Sequence, residues 1–131
     1  MESLQIRTGQ VSLMILDDMG NERGVFTFNP TDVKSAQKVM NLQSQLEEKQ
    51  TEFEKRAQSC ETAEDKAALL VESIDYFRAI VDDVFGSGTS QLVFGDARTF
   101  SMFDDFLQGI IPYYKKASEA RIAKYKKQSG S

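Results

Sequence analysis

One segment of the sequence, from Ala63 to Phe85, repeats apolar residues more regularly than any other part of the chain. Its small and apolar residues follow one another in alternating steps of four and three, at Ala63, Ala67, Leu70, Ile74, Phe77, Val81 and Val84. This spacing places them along one side of an α-helix about 34 Å long. Because a long helix with one narrow apolar stripe is stable only when another surface packs along it, the segment requires a partner.

The residues before this segment predict that partner, a first long helix. Asn29 and Asp32, with a proline between them, are typical of a helix start. Apolar residues mark its inner side, with Lys49 as an interruption, at Val33, Ala36, Val39, Met40, Leu42, Leu46, Phe53, Ala57 and Cys60. Thr62 followed by Asp65 resembles a capping box and predicts a reversal between residues 59 and 62. We therefore expect a helical hairpin; without the reversal, one very long helix would have to dimerise.

The first 28 residues predict β-strands. Leu4 and Ile6 alternate with polar residues, and the same alternation returns in residues 11–15 and 25–28, with glycines between the three runs. A β-hairpin or a three-stranded antiparallel meander fits this pattern. Because so small a sheet persists only when one face is covered, the helical hairpin is the expected cover.

The sequence after Phe85 predicts shorter elements. The run from Gly86 to Ser90 is expected to end the second helix, and residues 92–94 are long enough only for an edge strand. Thr99 predicts the start of a helix that Gly109 and Pro112 limit, with an aromatic and aliphatic face at Phe100, Phe103, Phe106, Leu107 and Ile110. The expected fold class is thus mainly α within α+β: an N-terminal hairpin or meander packed on a long helical hairpin, then one or two shorter C-terminal helices.

Charge divides the chain unevenly. From Pro112 onward there are six lysines or arginines and Glu119 as the one acid, so this segment carries +5 and residues 1–111 carry −9. We expect one globular α+β domain over residues 1–111 and a basic, mobile tail over residues 112–131. The predicted partner-binding residues of the tail are Tyr113, Tyr114, Lys115, Lys116, Arg121, Lys124, Lys126 and Lys127.

The partner of this tail is expected to be a protein. Lysines interleaved with tyrosines also occur in nucleic-acid-binding proteins, but the acidic body would repel DNA or RNA. The plainer alternative is that the tail is only a solvated chain end. No run of apolar residues approaches the ~20 needed to cross a bilayer and no signal peptide is recognisable, so a cytoplasmic protein without a membrane partner is expected.

The residue inventory argues against catalysis. The chain has no histidine, which removes the commonest general base and most zinc sites, and Cys60 is followed by an acid that would raise the pKa of a thiol. Three Asp-Asp pairs, at residues 17–18, 82–83 and 104–105, are expected in turns and on helix surfaces, because adjacent helical residues diverge by about 100°. We therefore predict no catalytic residue, no metal and no cofactor.

Several short phrases of the second half resemble small tail-assembly proteins of long-tailed phages and prophages of Gram-positive bacteria. The resemblance covers about residues 70–127 and is carried by Ile74-Asp75, Asp82-Asp-Val-Phe-Gly86-Ser-Gly-Thr89, Phe94-Gly95, Phe103-Asp-Asp-Phe106 and the lysine-rich end. It implies a non-catalytic tail-assembly chaperone in the cytoplasm of a bacterial host. Such a protein binds the helical tape-measure protein and tail-tube subunits during virion assembly and associates with itself.

A second class of function fits the same pattern. The chain can instead be a small structural or adaptor protein, either a minor virion component or a module that dimerises through its most regular helix, Ala63–Phe85.

Overall fold

The computed structural model describes the backbone of residues 1–129 and the side chains up to Lys124. Its elements, in chain order, are β1 (Val11–Leu16), β2 (Glu22–Phe28), α1 (Val33–Gln58), α2 (Ala63–Phe85), α3 (Thr89–Phe94) and α4 (Phe100–Ser129). The predicted α+β class is confirmed, with an N-terminal antiparallel hairpin followed by long helices.

β1 and β2 form a two-stranded antiparallel sheet in which Val11 pairs with Phe28 and Met14 with Val25. Their turn is held by Asp17, whose Oδ1 accepts hydrogen bonds from the backbone N–H groups of Met19 (2.9 Å) and Asn21 (2.8 Å). The hydrogen bond from the Asn21 N–H has the largest effect, and together these bonds hold the pKa of the Asp17 carboxyl below its usual value. The first Asp-Asp pair thus belongs to a turn, as predicted.

The third strand predicted from Leu4 and Ile6 is wrong, because residues 1–10 have no regular secondary structure. The carbonyl of Thr8 accepts hydrogen bonds from Asn29 Nδ2 (2.7 Å) and Thr31 Oγ1 (2.6 Å). These bonds fix the end of this segment beside the start of α1 instead of along a strand. Of the two N-terminal architectures predicted, the hairpin is the one observed.

The helical hairpin is confirmed, and α1 and α2 close it within one chain. Thr62 caps α2 as predicted, since its Oγ1 accepts a hydrogen bond from the N–H of Asp65 at 3.0 Å. The cap predicted at Asn29 is wrong: Asp32 caps α1 by accepting from the N–H of Ser35 at 2.9 Å. Asn29 instead accepts from the N–H of Thr31 in the turn that precedes the helix.

The core lies where α2 meets α1, α4 and the inner face of the sheet. Ile74, Phe77 and Val81 of the α2 stripe have no exposed surface. Phenylalanines surround this part of the stripe: Phe77 and Phe103 lie 4.4 Å apart between ring centroids, and Phe94 contacts both Phe103 and Phe106. Because α2 buries Ile74, Phe77 and Val81 inside the chain, this central part of the stripe is not a free dimer surface, whereas Ala63 and Ala67 at its start are exposed.

The edge strand predicted at residues 92–94 is wrong, since this segment is part of helix α3. Contacts from α2 hold α3 at both ends. Asp82 accepts hydrogen bonds from the N–H (2.7 Å) and the hydroxyl (2.9 Å) of Ser90. Arg78 donates to the carbonyls of Gly95 (2.7 Å) and Ala97 (3.0 Å). These side-chain bonds join residues that are distant in sequence, which a local pattern does not reveal.

The helix end predicted at Gly109 and Pro112 is also wrong, because α4 continues through both residues. A proline inside a helix removes one backbone hydrogen bond. Burial on either side of it offsets that loss, since Ile110, Ile111 and Tyr114 all lie in the core. The division into residues 1–111 and 112–131 stays a prediction, but its boundary falls within a continuous helix.

The Thr62 cap gives the first testable prediction. Thr62→Ala leaves the N–H of Asp65 without its side-chain acceptor, which is expected to lower the free energy of unfolding by about 1 kcal/mol. Thr51→Ala is the matched control, since its hydroxyl bonds a carbonyl that already belongs to the helix. Urea denaturation followed by circular dichroism measures both; equal losses for the two variants would contradict the cap.

Candidate functional site: the groove between α1 and α4

A groove of about 690 Å³ runs between the first half of α1 and the second half of α4. We call it the α1/α4 groove. Its lining residues are Val33, Ala36, Gln37, Met40, Asn41, Tyr114, Lys115, Ser118, Glu119 and Arg121. Each wall is formed by residues of a single helix, α1 on one side and α4 on the other.

The α1 wall is formed by Val33 and by Ala36, Gln37, Met40 and Asn41, which follow Val33 at intervals of three, four, seven and eight residues. This spacing places them on one side of the helix, about 12 Å long. Val33 and Met40, one at each end, are 55% and 41% exposed. The sequence analysis assigned both to the inner side of the hairpin, and this assignment is wrong. Val39 and its buried neighbours point to the core, and the groove residues lie on another face.

The α4 wall is fixed to the rest of the protein by two long-range hydrogen bonds. The hydroxyl groups of Tyr114 and Ser35 lie 2.8 Å apart. About two turns further along, Arg121 donates to the carbonyl of Thr31 at 3.0 Å. The Tyr114 ring also stacks on Phe28, with centroids 5.8 Å apart. The wall is therefore in place before any partner binds, which reduces the conformational entropy lost on binding.

Cations outnumber anions around the groove. Within residues 33–46, Lys34 and Lys38 are the only charged residues, and residues 112–124 carry four cations against Glu119, a net charge of +3. The distal end of the helical hairpin has the opposite sign: residues 47–65 contain seven acids and three bases, a net charge of −4. The groove therefore favours an acidic partner.

The structure separates the predicted partner-binding residues. Lys115 and Arg121 line the groove, whereas Lys116 and Lys124 are exposed outside its lining. Tyr113 packs edge-on against Phe28, with ring centroids 5.6 Å apart. The side chains of two further predicted residues lie outside the described part of the chain, namely Lys126 and Lys127.

Tyr114 requires a correction, because it is a core residue and not a free surface residue. Burial raises the pKa of its hydroxyl and the nearby Asp32 carboxylate adds to this, while the hydrogen bond with Ser35 acts in the opposite direction. Its aromatic face and its hydroxyl thus hold the groove wall in place, and only part of its edge borders the groove.

The raised pKa of Tyr114 predicts a pH dependence of stability. In the unfolded chain tyrosine loses its proton near pH 10, below the pKa of the folded state, so the free energy of unfolding falls as the pH rises above about 10. Tyr114→Phe has no hydroxyl group to titrate, so its free energy of unfolding is expected to fall less steeply above pH 10. At neutral pH this free energy is expected to be about 1 kcal/mol lower than in the wild type, because the variant lacks the hydrogen bond with Ser35. Denaturation between pH 8 and 11 measures both, with Tyr76→Phe as the control at an exposed tyrosine. Parallel pH curves for wild type and Tyr114→Phe would contradict the assignment.

The described residues contain no group of acidic, cysteine or histidine side chains that could hold a metal ion. Among the same residues, no helix is long and apolar enough to cross a membrane. Two of the three Asp pairs make structural hydrogen bonds: Asp17 holds the β-turn and Asp82 bonds the first turn of α3. The groove combines apolar lining residues with two cations, Lys115 and Arg121, and the acid Glu119.

Comparison with known proteins gives one match. Residues 21–130 match the model of DUF6673, a family of unknown function. No curated protein and no solved structure matches the chain. The matched range contains the α1/α4 groove and excludes β1 and the residues before it.

Proposed function

For this chain, which belongs to the DUF6673 family, we propose a non-catalytic role as a phage tail-assembly chaperone. In this role it binds the helical tape-measure protein in the α1/α4 groove, within the cytoplasm of a bacterial host, and brings tail-tube subunits to it. The proposal joins the sequence resemblance across residues 70–127 to the shape and charge of the groove.

The observation that carries the proposal is a preformed groove with two helical walls. An amphipathic helix binds such a groove by laying its apolar face on the floor, with contacts spaced as on the α1 wall. Val33 and Met40 are available as apolar contacts about 10 Å apart, a distance that two turns of a bound helix match.

The charge of the groove specifies which helices it favours. Lys115 and Arg121 outnumber Glu119 in the lining, and Lys34 and Lys38 lie on the same stretch of α1, so the surroundings of the groove would attract an acidic polar face of a bound helix. Contacts of this kind raise the association rate and select against basic helices. The proposed partner is therefore an acidic amphipathic segment of a long helical protein.

The alternative of a module that dimerises through Ala63–Phe85 has less support. The large apolar residues of its stripe, Ile74, Phe77 and Val81, are already buried in the core of a single chain, so a dimer that uses them would need the fold to open. An adaptor that binds a helix in the same groove remains the second candidate, and it differs from the chaperone in the identity of its partner.

The binding property is tested with two designed helices of about 21 residues that share one leucine stripe. One carries glutamate on its polar face and the other carries lysine at the same positions. We expect the full chain to bind the acidic helix saturably, with an affinity that falls as salt is added, and to bind the basic helix at least tenfold more weakly. Isothermal titration calorimetry measures both. Equal affinities, or no binding of either helix, would contradict the proposal.

A further inference from the structure

The two strands of the β-hairpin have different neighbours. α3 packs against β2, where the Leu92 side chain lies against Gly24 and the Arg23 side chain lies against Gly95. On the β1 side, no further strand pairs with the sheet within the described residues. β1 therefore presents unpaired backbone N–H and C=O groups, which can pair with an added strand.

A largely apolar cleft of about 410 Å³ lies beside this strand, between the sheet, the α3 segment and the first half of α4, and Arg23 and Asp105 are among its charged lining residues. We call it the β1 cleft. Leu13 and Ile15 line it from the strand, and Met102, Phe106 and Ile110 line it from the helix. Gly109 leaves it open, since a Cβ at this position would meet no atom within 4 Å. A strand added to β1 would direct alternate side chains into this cleft.

The chain contains a segment with the pattern that such a site requires. In residues 1–7, which we call the arm, Leu4 and Ile6 alternate with polar residues. They are 85% and 69% exposed, so in this structure the arm buries neither of them. Fully extended, residues 1–7 span about 23 Å. In an added strand Leu4 and Ile6 would share one face, and Gln5 and Arg7 the other.

The arm is anchored away from the β1 cleft of its own chain. Thr8 is bonded to Asn29 and Thr31, at the end of β2 and the start of α1. Gly9 keeps this anchor tight, with φ at +92°, because a Cβ there would collide with the Thr31 side chain. The root of the arm is therefore held beside the end of β2 and the start of α1.

We propose that the arm of one copy adds as a strand to β1 of a second copy and inserts Leu4 and Ile6 into its β1 cleft. Because each copy has one arm and one cleft at different places, the contact is head-to-tail and can continue from copy to copy. This inference deepens the proposed function, since it gives the surface by which chaperones would line up along a tape-measure helix. The contact between copies uses residues other than those of the α1/α4 groove, so an experiment can contradict one of the two proposals without contradicting the other.

The test compares two double variants of the full chain by sedimentation velocity over a range of concentrations. Leu4→Asp with Ile6→Asp is expected to keep the protein monomeric where the wild type associates. Ser3→Asp with Gln5→Asp adds the same charge to the opposite face of the arm and is expected to associate like the wild type. Gly109→Leu places a side chain in the lining of the cleft, at a position where a Cβ meets no atom within 4 Å, and is expected to remain monomeric. A monomeric wild type, or normal association of the Leu4/Ile6 variant, would overturn the proposal.

Disulfide trapping distinguishes an arm that binds the β1 cleft of another copy from an arm that binds the cleft of its own chain. In a Cys60→Ser background, one copy carries Ile6→Cys and a differently tagged copy carries Gly109→Cys. We expect a cross-link between the two tags under mild oxidation. A cross-link that forms only when both cysteines are placed in the same chain would show that the arm folds onto its own cleft, and would overturn the exchange. The acidic helix should bind the Leu4/Ile6 variant normally, which separates this test from that of the groove.

Discussion

Phe77→Ala is expected to lower the free energy of unfolding by about 3–5 kcal/mol. Phe77 has no exposed surface, and its ring lies 4.4 Å from that of Phe103 between centroids. Its removal leaves a cavity where α2 meets α4, which the rigid helices cannot close. Since small domains are stable by about 5–15 kcal/mol, this single change would remove much of the total. Phe77→Asp, which buries a charge at the same place, is expected to unfold the protein.

Tyr76→Ala is the matched control for this prediction. Tyr76 is the adjacent residue of α2, but it is exposed and its main contact is with the Lys49 ammonium, 4.4 Å from the ring centroid. Its loss is expected to cost about 0.5–1 kcal/mol. Urea titrations of the two variants measure the difference. Similar losses would contradict the burial of the α2 stripe within one chain.

Met40→Glu is expected to weaken binding of the acidic helix at least tenfold, or by about 1.4 kcal/mol or more. Met40 lies on the floor of the α1/α4 groove and is partly exposed in the free protein. Glutamate there replaces an apolar contact with a charge that would be buried under the bound helix and repelled by its acidic face. The fold should be unaffected, because glutamate is a good helix former at an exposed position.

Val71→Glu is the control for this second prediction. Val71 is also a partly exposed apolar residue of a long helix, but it lies on α2 and does not line the groove. Calorimetric titrations should give the wild-type affinity for Val71→Glu. If both variants lose affinity equally, the helix binds by general charge attraction. If neither loses it, the helix binds elsewhere. Either result would contradict the groove as the site.

The helical hairpin could be predicted because its signals are local. The small and apolar residues that recur in steps of four and three in Ala63–Phe85 lie within one short stretch of sequence, and so do the residues of the Thr62 cap. α3 and the continuation of α4 could not be predicted in this way. α3 depends on Asp82 and Arg78, which reach it from α2, and α4 crosses Pro112 because of burial on both sides. These causes appear only after the chain has folded.

The candidate site was predicted in part. Charge alone pointed to Lys115 and Arg121, because the cations cluster from Pro112 onward. The α1 wall was missed, although Val33 and Met40 carry a signal: they are seven residues apart, on another side of the helix from Val39 and Leu46. A hairpin helix with two apolar faces indicates a second contact surface, and pairing this surface with α4 required the three-dimensional structure.

The most direct test of the proposed function is co-expression of the full chain with the longest helical protein encoded downstream of it in the same gene cluster. We expect the wild type and Val71→Glu to co-purify with this protein and keep it soluble, and Met40→Glu to fail at both. Equal co-purification of wild type and Met40→Glu would contradict the groove as the binding site. If the long helical protein is soluble on its own and does not co-purify with the chain, the proposed chaperone function is contradicted.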